Sequence, residues 1–531
     1  MRYPKLKTIP ETRQVQQVFR GLNRNARIPE TEFRQMENLT SDHYPLLAPR
    51  PPRRFYRKPA SPQGLIAKDT LCYVDGSDFL LGDTRIPMGL SVEPEDCPKQ
   101  LVSMGAYVLI FPDKAYINTG DPADRGLLDA VFTSAGTVTV TPCGEDGQET
   151  DTPQYLRLEN PGIGADFAAG DGVEISGCTA VTGSVRICAR GDDYLVVAGT
   201  GEETTQQTPL TVSRRCPRLD FVCQCGNRLW GCRYGKDREG EFVNRIYACR
   251  LGDFKNWNVF QGLSTDAYAA ACGEDGPFTG AVSYLGNPLF FKEKGVYQVY
   301  GSYPATFTIR FTACPGVQQG CEKSLAMTDD TLFYVSRGGV YAYDGSLPVE
   351  VSRDLGAFSC DRAVGGSYGS KYYLSAHQAD GWNLYVYDTA YQLWHREDRL
   401  QVSDFCTLRG QLYCVDGENC NILCLTGGDS TEEKVRWSAE TGELGFSSPD
   451  GKYLTGLILR LQLDRGSKLV LSACCDGGGD YEELATVFGT GLRSFEIPVR
   501  PRRCDHFRLK IEGEGSGKVY SITKRLQQAE M

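Results

Sequence analysis

The chain has 531 residues, 41% of them apolar and 23% charged, with a formal net charge of −10. That balance is ordinary for a globular protein and excludes disorder of the whole, which requires too few apolar groups to bury. An acidic body also argues against a protein built throughout to hold nucleic acid, whose phosphates it would repel.

No run of about 18 apolar residues occurs, and the start "MRYPKLKTIPETRQVQQVFRG" lacks the apolar stretch of a signal peptide. The expectation is therefore a soluble chain, made in a cytoplasm and making no contact with a membrane. The 59 glycines, 27 prolines, 28 tyrosines and 23 phenylalanines favour many short strands joined by tight turns, with little helix.

Residues 1–60 read as an extended basic arm. Up to Lys58 it holds thirteen Lys and Arg against five Asp and Glu, and it ends in "PRPPRRFYRK", residues 49–58. The prolines block helix and keep this segment extended, so Arg50, Arg53, Arg54, Arg57 and Lys58 form a charged strap. A strap of this kind is a solvated linker, a nucleic-acid contact or a dock for acidic subunits. Phe19, Leu22, Ile28, Phe33, Met36, Leu39, Tyr44, Leu46 and Leu47 are more apolar groups than a linker needs, yet their spacing builds no core of its own. The arm should be ordered by docking, on its own chain or on a neighbour.

A hairpin phrase then recurs. It begins at Leu71 ("LCYVDGSDFLLGD"), Tyr107 ("YVLIFPDKAYINTGD"), Leu229, Leu289 ("LFFKEKGVYQVYG"), Leu332 ("LFYVSRGGVYAYDG"), Tyr372 and Leu412 ("LYCVDGENCNILCLTGG"). The later anchors are 43, 40 and 40 residues apart, the length of a four-stranded propeller blade. Aromatic residues on both faces of these strands fit sheets covered on both sides by neighbouring blades, and radial closure leaves no long open edge. Seven anchors predict an all-β fold with a β-propeller of about seven blades, six to eight being compatible. The first blades fall in 61–130 and the rest in 212–430. Residues 131–211, too long for blade connections, read as an inserted β-barrel or sandwich. A short helix is predicted near residues 262–273.

After residue 430 the strands lengthen and alternate cleanly, as in "LILRLQL", which marks an antiparallel sheet with one wet face. Residues 431–531 should form a terminal β-sheet or sandwich.

Chemistry-bearing motifs are sparse. The four histidines, His43, His377, His395 and His506, have no partners at ligand spacing, and His377 and His395 read as structural residues at strand ends. Cys223, Cys225 and Cys232, like Cys414, Cys420 and Cys424, read as buried thiols rather than zinc ligands, and the 21 cysteines as reduced. "CCDGGGD" at 474–480 lacks the spaced carboxylates of a calcium loop. "SPDGK" at 448–452 is only a fragment of the repeated turn of sialidases. The neighbours Asp237 and Glu239, or Glu397 and Asp398, are not placed by sequence at a glycosidase separation. There is no phosphate-binding loop, nucleophile elbow or dinucleotide fingerprint. The expectation is no enzyme, no catalytic residue, no metal and no cofactor. The Asn38-Leu39-Thr40 sequon carries little weight without a secretory signal.

The stretch Phe19 to Arg53, with "RLWGCRYG", "IYACRLGDFKNW", "FTGAVSYLGNPLFFKEKGVYQVYGSYPATF", "LFYVSRGGVYAYDGSLPVEVS" and "LYVYDTAYQLWHRED", resembles β-propeller virion proteins of tailed bacteriophages and prophages. Packaged-DNA stabilisation and tail-nozzle proteins of short-tailed phages are the relatives in view. The likeness covers most of residues 19–430. It implies a structural part of a phage tail, at the head-to-tail junction or nozzle, with copies of the chain in a ring and the arm clasping an adjoining tail or connector protein. Double-stranded DNA would pass through the ring, and acidic walls would let it slide. The alternative is a carbohydrate-binding propeller at the tail tip.

Overall fold

The computed structural model describes residues 11–92, 98–427, 431–445, 451–477, 480–500 and 502–528. Their regular structure is strand, apart from three single 3₁₀ turns, Pro304–Thr306, Glu322–Ser324 and Arg353–Leu355. Seven four-stranded antiparallel sheets recur along the chain, in the arrangement of a seven-bladed β-propeller. The chain divides into two compact units, Ser61–Val317 and the combination of residues 1–60 with Gln318–Met531.

The unit Ser61–Val317 holds four blades. They open on Pro62–Ala67, Gln100–Met104, Phe221–Cys225 and Phe278–Tyr284, and close on Thr84–Pro87, Arg125–Leu127, Tyr268–Ala271 and Thr308–Ala313. Between the second and third lies an eight-stranded sheet running from Ala130–Thr133 to Thr211–Arg214. It encloses its own core of Val138, Val140, Leu156, Leu158, Ile187, Leu195, Val197 and Val212. Its first and last strands pair directly, Ala130 opposite Arg214, so the insertion enters and leaves at one place.

The expected helix at 262–273 is corrected. Those residues form turns and then the strand Tyr268–Ala271, fourth in the third blade, where Tyr247 faces Ala269. Alanine-rich sequence favours helix, but the open edge of the blade offers this segment a full ladder of backbone bonds, and tertiary context overrides propensity. The long connection from Ala248 to Tyr268 also explains the wide sequence gap between the third and fourth anchors.

The second unit holds three blades and a large C-terminal sheet. Its first blade contains the strands Thr331–Ser336 and Gly339–Tyr343. Ser336 pairs with Gly339, which leaves Arg337 and Gly338 as the two turn residues. Gly339 has φ 137°, and a Cβ there would lie 2.2 Å from Ser352 Oγ, so this strand must start on glycine. In the next blade Leu384, Tyr385, Val386 and Tyr387 are all buried, as a sheet covered on both faces requires.

The C-terminal sheet is a curled half-barrel of eight strands built on one of 24 residues, Lys452–Cys475. One edge of that strand pairs with Gly517–Gln528 along its first half and Phe507–Glu514 along its second; the other edge pairs with Glu482–Pro498. Leu457, Leu459, Leu461 and Leu463 are buried while Arg460 between them is exposed, the two-residue period that gives the sheet its wet face. Two of the eight strands, Glu11–Gln16 and Phe33–Glu37, come from the arm.

Candidate functional site

The composition of the arm suits neither a linker nor a core. Within its unit it runs between the blades and the C-terminal sheet, and its apolar groups belong to the core that both share. Phe19, Leu22, Phe33, Met36, Leu39 and Leu47 cluster with Val335, Tyr372 and Trp394 of the blades and with Trp437, Leu459 and Ile522 of the sheet. Each such burial is worth about 1.5–3 kcal/mol of gross transfer free energy, which a solvated linker would forgo.

Local geometry follows from this confinement. Glu11–Gln16 extends the sheet beside Gly517–Gln528, with Thr12 opposite Leu526. Phe19 stacks on Phe33, ring centroids 6.2 Å apart, where the chain doubles back. Gly21 passes so close to the sixth blade that a Cβ would lie 2.1 Å from Trp394 O, and Leu22 N donates to that same oxygen at 2.6 Å. Phe33–Glu37 then pairs with Arg436–Thr441, and Leu39–Thr40 folds back on Ala48–Pro49. Tyr44 is half-buried and stacks on Tyr391 at 4.3 Å, Leu46 is half-buried, and Ile28 packs against Gly442.

The basic strap meets carboxylates of its own unit. Arg53 Nη1 donates to Asp398 Oδ2 at 2.6 Å and Nη2 to Glu397 Oε2 at 2.7 Å. Arg50 grips Glu432 with both terminal nitrogens, at 2.9 and 3.0 Å. Burial alone would raise the Asp398 and Glu432 carboxyls, but the two guanidinium groups hold both below the usual carboxylate range. Arg50 and Arg53 are nearly fully buried, so their charge is answered inside the protein. The acidic partner expected for this part of the strap is thus the chain itself. The neighbouring carboxylates Glu397 and Asp398 are the arm's anchor.

Arg54–Arg57 does more than dock. It is the fourth strand of the last blade, beside Val402–Leu408, Gln411–Asp416 and Asn421–Cys424, with Phe55 opposite Leu423. Arg54 Nη2 donates to Tyr413 OH at 3.1 Å, and Tyr56 meets the Tyr413 ring edge-on. The arm was expected to dock on a finished body; instead it completes one of the blades, and without it this sheet has three strands. Of the strap, Lys58 is exposed and Arg57 half-buried.

A second set of arm contacts was not visible in the sequence. Lys371 Nζ donates to Asp42 Oδ1 at 2.5 Å and Thr40 Oγ1 at 3.1 Å, and Ser41 Oγ donates to Asp388 Oδ2 at 2.5 Å. Beside them His395 is buried, and among the described residues Nδ1 has no partner. Burial, helped by the Lys371 charge, lowers its pKa to about 3. His377 instead pairs with Asp361 at 2.7 Å. No local pattern marks this set in the sequence, because Asp42 and Ser41 lie more than 300 residues from Lys371 and Asp388.

Cys223, Cys225 and Cys232 lie in one apolar cluster with Trp230, Ile246 and Phe290, and burial raises all three thiols. Cys414 and Cys424 are buried in the last blade. Among the described residues no group of three or more His, Cys, Asp or Glu is placed to hold a metal ion. No described helix is long and apolar enough to cross a membrane. Most of "SPDGK", and Gly478 and Gly479 of "CCDGGGD", lie outside the described residues, as do the first ten residues of the arm.

The sheets and their register define a seven-bladed β-propeller protein with an inserted β-domain and a C-terminal half-barrel. No family model matches the sequence, and no curated protein does. Similar solved structures include the computationally designed Ika8 protein, 10% identical with TM-score 0.31, covering 70% of this chain and 98% of that one. Another is PorZ, a bacterial surface component of the type-IX secretion system of Porphyromonas gingivalis, 10% identical with TM-score 0.27, covering 82% of this chain and 70% of that one. A third is an exo-β-1,3-galactanase from Phanerochaete chrysosporium, 9% identical with TM-score 0.22, covering 57% and 95%. Likeness this remote carries no argument about what the present chain does.

Proposed function

We propose that the protein is a structural component of a tailed-phage particle, placed at the head-to-tail junction or nozzle, with further copies of itself and adjoining tail proteins as partners and DNA passing by. The phrase-level resemblance motivates this reading, and the way the chain is fastened supports it. About forty arm residues are threaded between blades and half-barrel, anchored by the Arg50 and Arg53 ion cluster and closed by a strand that completes a blade. Such interlocking resists opening under load, which suits a part of a pressurised machine better than a freely exchanging binding module.

The apolar side of the arm is occupied by its own chain, so contacts with neighbours would use other surfaces. The test is to purify particles of the phage or prophage that carries the gene, search them for this chain by mass spectrometry, and delete the gene. Incorporation in fixed copy number and loss of tailed particles are expected; particles that lack the chain and assemble normally without the gene would overturn the proposal.

A carbohydrate-binding role keeps one observation in its favour. A cleft of about 460 Å³ in the unit Ser61–Val317 is lined by Val259, Leu263, Tyr268 and Tyr303 with Gln261 beside them. Tyr303 is 43% exposed there, and an aromatic face beside an amide is a surface on which sugars stack. A glycan array with the purified chain, and its loss in Tyr303→Ala, decides this second reading.

A further inference from the structure

Twenty cysteines are described, all as free thiols, and several have another thiol nearby: Cys223, Cys225 and Cys232 share one apolar cluster, and Cys475 neighbours Cys504. Cys321 and Cys360 are the pair that faces across two successive blades. Cys321 opens the 3₁₀ turn Glu322–Ser324 ahead of one blade, and Cys360 lies just ahead of the first strand of the next, Arg362–Tyr368. Their sulfurs are 3.9 Å apart in a buried pocket beside Tyr372. Two further contacts hold the loops together on either side. Gln318 Nε2 donates to Cys360 O at 2.7 Å, and a Cβ on Gly320 would lie 2.3 Å from Asp361 O. The loops that carry the two thiols therefore lie against each other, and the sulfurs have to close from 3.9 Å to the roughly 2.05 Å of a disulfide.

We propose that Cys321 and Cys360 are a disulfide-forming pair, reduced when the chain is made and joined once it meets a disulfide oxidant. Cys360 is 8% exposed and Cys321 fully buried, which orders the steps. The Cys360 thiolate attacks one sulfur of oxidised glutathione, forming a mixed disulfide and releasing one glutathione as thiolate. Cys321 then attacks the Cys360 sulfur, its proton passing to the second glutathione as that leaves. Two protein thiols are oxidised and one glutathione disulfide is reduced to two thiols. The buried Cys321 thiol, pushed well up by the neighbouring Cys360 and by burial, is a poor first nucleophile. The product staples two successive blades. The chemistry stands on this geometry alone; its biological setting, a chain that leaves a reducing cytoplasm inside a particle, rests on the virion reading.

The test uses the purified full chain, incubated with oxidised glutathione in excess, quenched by alkylation and digested without reduction. A peptide linking Cys321 to Cys360 should appear, free thiols should fall by two, and the thermal midpoint should rise and return on reduction. Cys360→Ala, a mild change at a slightly exposed site, should abolish the linked peptide and the reversible shift while its far-ultraviolet circular dichroism matches the parent. Alkylated Cys321 and Cys360 after full incubation, or linkage of either to another cysteine, would overturn the pair. The same peptide sought in purified particles tests the setting separately: linkage in solution but not in particles would count against that setting and leave the pair established.

Discussion

Replacing Arg53 with alanine would leave Glu397, and Asp398 beside it, without the guanidinium that now satisfies both. Removing one partner of a buried ion pair typically costs about 3–5 kcal/mol, because the other charge stays desolvated. A loss of that size is expected in urea unfolding of Arg53→Ala, whereas Lys58→Ala, at an exposed position, should stay within about 0.5 kcal/mol. The same cluster sets an acid limit. Asp398 and Glu432 titrate lower in the folded chain than unfolded, so the stability they supply is present above the ordinary carboxylate value near 4 and drains away as pH falls through their lowered folded values. His395 acts earlier. Its imidazole, facing Lys371 and Asp42, stays neutral down to about 3 when folded but takes up a proton near 6.5 once unfolded. Stability should therefore already decline as pH falls from 6.5 towards 3. In His395→Phe the thermal midpoint should be flatter between pH 6.5 and 4.5 than in the parent; an unchanged slope there would remove His395 as the cause.

At the scale of elements, the arm is a blade strand, two sheet strands and a wedge in the core rather than a tether. Deleting residues 1–58 should strip the last blade of its fourth strand and open the core around Trp394, giving an aggregating or protease-sensitive product instead of a folded body. Gly21→Ala, a single methyl facing Trp394 O, should lower stability by about 1–3 kcal/mol, the usual cost of forced overpacking, read as a shift in urea midpoint. The sequence showed part of this. Blade hairpins were legible because both faces of each strand are buried, and "YVLIFPDKAYIN" or "LFYVSRGGVYAY" carries that in its own residues. The arm was not, since apart from the short hairpin of Leu39–Thr40 with Ala48–Pro49 its strands have partners hundreds of residues away: Phe55 on Leu423, Phe33 on Thr441, Thr12 on Leu526. Arg53 looked like a charge awaiting a partner because Glu397 and Asp398 lie opposite it only after folding. The segment 262–273 misled for the converse reason, its helical composition being outvoted by a sheet edge that no local pattern displays.

For the molecule as a whole, the inserted sheet is the part most separable from the rest. Its end strands, Ala130–Thr133 and Thr211–Arg214, lie side by side, and its core is its own. Residues 130–214 expressed alone should unfold cooperatively in a calorimeter, and joining the flanks by a short glycine linker should leave the four blades of that unit folded. Excision would break the hydrogen bond from Asn256 Nδ2 to Asp171 at 3.0 Å and the ion pair of Arg186 with Asp266 at 2.7 Å, so a modest fall in stability is expected rather than collapse.

The strand Arg54–Arg57 also imposes an order in time. Asn421–Cys424, the strand it must join, is made some 360 residues after it. At about 5–20 residues per second the nascent arm, with Phe19, Leu22, Phe33 and Met36 uncovered, waits roughly twenty to seventy seconds for its seat. During that interval it is the segment most open to chaperones and to pairing with the arm of another nascent copy. The last sheet of the propeller is therefore completed by residues made long before its other three strands.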